Sequence, residues 1–297
     1  MNPFSLPGGA QPSPVVSVSE GLAAVEGNLP VLRLCPTPHS DGADPFVLID
    51  RWGPATRHPH EGRLGIEPHP HCHIEVLTLV RRGAVVQRAS LGPLPEVHVG
   101  PGEVGWLIAG AGVVHDEWAV VPDDAPGQLD AVQVWVALPR RRESCEPELR
   151  LVRSEAVPVV QLGGESRVRV LAGSVGESTG PVECQTSVTL LHAFLEKDAV
   201  WKHPLPGGQT ALVMVLDGEA LVGPQNRSIR AGQLARLGDG TQLSVQASRV
   251  TGVELLVLVG RPLHQPVARF GPFVARDEGA IRAAMMRFQR GRMGQLR

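Results

Sequence analysis

The feature that most constrains this chain is its punctuation. Short runs rich in Val and Leu recur along nearly all 297 residues, and each is soon cut off by Gly or Pro, which number 34 and 27. Val76 to Val80, Ala84 to Arg88, Gly105 to Ile108, Ala131 to Leu138, Arg167 to Ala172, Ser187 to Leu195, Thr210 to Leu216, Ala220 to Val222 and Val253 to Val259 all follow this pattern. Runs of that length between turn residues are strands, and so many of them predict an all-β sandwich or barrel. A hydrophobic fraction of 42% is enough to give more than one such body a core.

A coarse echo divides the chain. Val76 to Val80 is followed by Arg81, Arg82 and Gly83 and then by PGEVGWL at 101–107; Leu212 to Leu216 is followed by Asp217 and Gly218 and then by AGQLARL at 231–237. Two similar barrels in tandem are implied. The expected partition is a flexible N-terminal tail over 1–15, a first barrel over 16–140, a linker over 141–165 where charge and Pro rise together, a second barrel over 166–265, and a C-terminal segment over 266–297. That segment holds the one predicted helix, capped by Asp277 and carrying Ile281, Met285 and Phe288 on one stripe. Arg287, Arg290, Arg292 and Arg297 read as its solvated end.

A formal net charge of −2 offers no basic field for nucleic-acid phosphates and no polybasic stripe for a membrane. No apolar run reaches the length of a membrane helix, and the first residues lack the basic start and apolar core of a signal peptide. Cys35, Cys72, Cys145 and Cys184 form no CxxC pair and no disulfide framework. A reduced, cytoplasmic location is expected, with small molecules or proteins as partners.

Chemistry concentrates in two blocks. EPHPHCHIEVLTLV places His69, His71, His73 and Glu75 at strict alternation, and GAGVVHDEW places His115 and Glu117 two apart. On strands, residues two apart share a face, so each block can present its side chains to one barrel interior. Three neutral imidazoles and a carboxylate suit iron(II), manganese, nickel or copper. A lone histidine is more often a packing residue, and His203 in the second half is read that way.

The first block resembles the first cupin motif, and the second, with Gly102, Gly110 and Gly112 ahead of His115, resembles the second. More narrowly, GIEPHPHCHIE and PGEVGWLIAGAGVVHDE resemble the pirin family, as do ADPFVLID at 43–50, QVWVALP at 133–139 and GRPLHQPVARFGPFV at 260–274. The resemblance runs from about residue 15 to 290. It implies two tandem cupin (jelly-roll) β-barrels with one metal ion in the first, held by His69, His71, His115 and Glu117, and a metal-free second barrel. Iron(II) is the metal implied, with manganese, nickel or copper as alternatives.

Glu75, the ligand in many other cupins, is then placed beside the pocket with His73 and Trp106. Leu107, Val134 and Trp135 wall it. Pirins usually show Arg-Gly-Phe after the HPH triplet, and this chain has Cys72, His73 and Ile74. His58, Pro59 and His60 duplicate the triplet in a loop. The activity implied is that of a quercetin 2,3-dioxygenase, with Glu117 as base, a small aromatic substrate and dioxygen. The alternative is an iron-dependent regulator with a transcriptional or metabolic protein as partner. A sugar isomerase ranks lower, because the site strands offer few Lys or Arg.

Overall fold

The computed structural model describes residues 9–38, 42–58, 62–93, 95–121 and 126–296. Among the described residues it is mostly antiparallel strand, with one α-helix, Glu278–Gln289, and it separates into two compact units.

One unit comprises Ala23–Arg33, Phe46–Ser154 and Leu263–Arg297. Its seven-stranded sheet runs Glu148–Val152, Val104–Ile108, Ile74–Arg82, Gly127–Ala137, Phe46–Arg57, Leu29–Cys35, Leu22–Glu26; a four-stranded sheet runs Gly65–His71, Val113–Ala119, Val85–Ala89, Glu96–Val99. Leu48, Ile74, Val76, Ala89, Leu107, Val113 and Trp135 pack together in its core. Alternate residues along each strand supply that cluster, as a pleated backbone requires.

The other unit comprises Met1–Leu22, Leu34–Pro45 and Glu155–Pro262, and its sheet encloses a Val- and Leu-rich core around Trp201. The expected runs over 210–216 and 220–222 form a single strand, Thr210–Val222, which passes Asp217 through a bulge instead of ending there.

The units are not consecutive in sequence, and the structure differs here from the expected partition. Val15–Glu20 belongs with the second unit, where Val18 pairs Ala235 on the strand Gln233–Leu237. Of the expected tail, residues 1–8 lie outside the described residues, while Ser13 is buried and its N–H donates to the Gln242 carbonyl at 2.8 Å. The expected linker contains paired strands: Glu148–Val152 lies against Val104–Ile108, and Val159–Gly163 against Ser166–Ala172. Unpaired backbone at a sheet edge recruits these segments.

The C-terminal segment returns to the first unit. Asp277 caps its helix by accepting from the Ala280 N–H at 2.7 Å. Ile281 and Ala284 are buried with Phe273 and Met293 over Cys72 and Val114, with Met285 packed at the margin. Phe288, expected on that stripe, is 36% exposed. Among the described residues, no helix is long and apolar enough to cross a membrane.

Candidate metal centre

Strand register builds the site. Gly65–His71 pairs Val113–Ala119 with His69 opposite His115 and His71 opposite Val113. Residues two apart share a face, so His69, His71 and His115 converge, with ring centroids 4.2 to 4.8 Å apart. Their ligand nitrogens lie within 4.8 Å of one another. Gly112 precedes the second strand at φ +130°, and a side chain there would run into Met293.

Hydrogen bonds select the tautomers. His69 Nδ1 lies 2.8 Å from the Glu67 carbonyl and His71 Nδ1 lies 2.9 Å from the Pro272 carbonyl. A carbonyl only accepts, so each Nδ1 carries the proton and each Nε2 keeps its lone pair. His71 Nε2 and His115 Nε2 are buried without a hydrogen-bond partner. Burial holds all three imidazoles below their usual pKa, His71 and His115 well below, with a smaller contribution from neighbouring rings at those two. Neutral rings, anchored Nδ1–H groups and orphaned Nε2 lone pairs are what a transition-metal ion needs. The residues therefore fit the ion implied by the sequence.

Glu117 follows His115 after a register shift and faces Gln87 on the neighbouring strand. It lies outside the three-imidazole cluster. Gln87 Nε2 donates to Glu117 Oε2 at 2.9 Å, and Gln133 Nε2 donates to Oε1 and Oε2 at 3.0 and 3.2 Å. Both amides also donate to Thr78 Oγ1, at 3.0 and 3.2 Å. Burial raises the Glu117 carboxyl to about 7, against the opposing pull of the Gln133 and Gln87 amides.

Strict alternation fails between 71 and 75. The chain leaves one sheet at His71 and enters the other at Ile74, turning at His73, whose φ is +61°. His73 Nδ1 consequently faces the Val274 carbonyl at 3.2 Å instead of the cluster, and the Cys72 thiol, buried beneath the C-terminal segment, is pushed up to about 11 by burial. Glu75 is buried apart from the histidines, where its Oε1 accepts from Trp106 Nε1 at 3.1 Å. Trp135, placed in the wall by sequence, meets the His71 ring. His203 is buried in the other unit and belongs to no cluster of three or more potential metal ligands among the described residues; of the duplicated triplet, Pro59 and His60 lie outside those residues.

Sequence reasoning missed Thr78, Gln87, Gln133 and the Pro272 carbonyl. Thr78 and Gln133 carried a signal, since each is a polar residue inside an otherwise apolar run that reads as buried on both faces.

Two antiparallel barrels, one of them holding a cluster of three imidazoles on paired strands, define a bicupin with a candidate metal centre. The pirin family pattern matches residues 28–136 and the pirin C-terminal cupin domain matches residues 190–294. The chain belongs to the pirin family. It is 34% identical over 251 residues, 84% of this chain and 86% of the other, to a Pseudomonas aeruginosa protein provisionally named a quercetin 2,3-dioxygenase. A crystal structure of quercetin 2,3-dioxygenase from Acinetobacter baumannii superposes with a TM-score of 0.88 at 28% identity, covering 97% of this chain and 100% of that one. A bacterial pirin from Escherichia coli in complex with nickel(II) shares the fold, with a TM-score of 0.63 at 19% identity over 82% of this chain and 98% of that one.

Proposed function

We propose that this protein is a metal-dependent dioxygenase that takes a flavonol-type aromatic substrate bearing vicinal oxygens, with dioxygen as second substrate. The observation that carries the reading is the pair of buried, unpartnered nitrogens, His71 Nε2 and His115 Nε2, beside His69. His69, His71, His115 and Glu117 would hold the ion, iron(II) first, with manganese, nickel or copper as alternatives. When bound, it supplies a Lewis acid that lowers the pKa of a coordinated hydroxyl.

The chain's own groups do the rest. The Glu67 and Pro272 carbonyls keep the His69 and His71 rings in the tautomer that leaves Nε2 free. Glu117, whose buried carboxylate is held by the Gln87 and Gln133 amides, is the group that would take the substrate hydroxyl proton. Trp135 and Val113 pack beside the histidines and limit the water that reaches them. The relatives that carry the name quercetin 2,3-dioxygenase support the substrate class.

The test is to quantify bound metal and follow flavonol absorbance together with oxygen uptake, for the intact protein beside His71→Ala and Glu117→Ala. Metal-dependent turnover that disappears in both variants is expected. One metal per chain with no turnover of any flavonol would assign the site instead to metal-dependent binding of a protein partner.

A further inference from the structure

We propose that Gln87, Gln133 and Thr78 build a second resting place for the Glu117 carboxylate, so that Glu117 can leave the histidine-bound ion and free a coordination position for an incoming ligand. The inference rests on the reading that Glu117 is a metal ligand. A partner that only oriented Glu117 toward the ion would engage one carboxylate oxygen and leave the other. Here both oxygens accept from carboxamide nitrogens, and Glu117 stands outside the imidazole cluster.

The Gln133 side of the resting place is fixed. Each amide nitrogen has two N–H groups, and each reaches both Glu117 and Thr78 Oγ1, so neither has a donor to spare. The Gln133 amide cannot turn over, because Trp135 Nε1, which can only donate, occupies Gln133 Oε1 at 2.8 Å. Gln87 Oε1 occupies the space that a side chain at Gly105 would fill. The Gln133 amide, held from behind by Trp135, cannot follow the carboxylate, whereas Gln87 Oε1 is buried without a hydrogen-bond partner; on this proposal Glu117 moves between the ion and a resting place fixed chiefly by Gln133.

Cobalt(II) is the probe. Its affinity is measured by chelator competition, and its visible absorption, which weakens as coordination number rises, reports whether Glu117 is bound. The proteins are the wild type, Gln133→Leu and the near-isosteric Thr78→Val, each with and without Glu117→Ala. With the resting place weakened, Glu117 stays on the ion: both variants should bind cobalt(II) about tenfold tighter, the scale of a hydrogen bond to a charged group. Their absorption should shift toward higher coordination number, and both effects should vanish with Glu117→Ala. Weaker binding would show that the amides steer Glu117 onto the ion, and unchanged binding that their contacts do not bear on it; either overturns the proposal. If Glu117→Ala alone leaves cobalt(II) affinity unchanged, Glu117 is no ligand and the underlying reading fails first. Thr78→Val keeps the test open should Gln133→Leu not fold.

Discussion

The Trp135 ring meets the His71 imidazole at 71°, with centroids 4.5 Å apart. Its indole nitrogen meanwhile donates to Gln133. One side chain therefore touches both a histidine of the cluster and the clamp on Glu117. Trp135→Phe keeps an aromatic ring near His71 but leaves Gln133 Oε1 unpaired in a buried site, at a cost of about 1–3 kcal/mol. A melting temperature several degrees lower, with metal content unchanged, is the expected result by calorimetry and metal analysis.

Gly105 lies across from Gln87, and an added Cβ would collide with Gln87 Oε1. Gly105→Ala is expected to destabilise by roughly 1–3 kcal/mol, the range for overpacking a buried site. Combined with Gln87→Ala, which removes the obstructing amide, it should cost far less than the sum of the single changes. Additive losses in urea unfolding would show that the two residues do not communicate.

The orphaned Nε2 lone pairs at His71 and His115 have a thermodynamic consequence. An ion that binds only the folded chain stabilises it, by about 2.7 kcal/mol when its free concentration is a hundred times Kd. Chelation should lower the melting temperature of the wild type and leave His115→Ala unmoved. Equal responses to chelator would place the stabilising ion elsewhere.

In the other unit, His203 is 6% exposed with Nδ1 unpartnered, and burial lowers its pKa to about 4. Its ordinary value is 6.5. Between those values the unfolded chain binds a proton that the folded chain does not, so stability falls as pH drops through that window and levels off below it. The shift corresponds to roughly 3 kcal/mol. His203→Phe should flatten the pH dependence of unfolding between 6.5 and 4 relative to wild type. Identical slopes would remove His203 from the account.

Much of this was legible in the chain. Runs such as those containing Val76–Val80 and Val253–Val259 appear as strands because side-chain alternation and turn chemistry are local properties. His69, His71 and His115 could be read as one cluster because period-two spacing within each block survives folding wherever the strand stays intact. His73 and Glu75 could not be separated from them that way. One left-handed residue moves the chain into another sheet, and nothing in the spacing announces it.

The sequence by itself determined the strand content and the two-residue spacing of His69 with His71 and of His115 with Glu117, since each depends on neighbours a few residues apart. Only the tertiary structure decided that Val15–Glu20 completes the later sheet, that the Pro272 carbonyl, 201 residues along the chain from His71, fixes a histidine tautomer, and that two glutamines hold Glu117. Those arrangements come from strand register and from the need to pair every buried polar group, and both are settled only when distant segments meet.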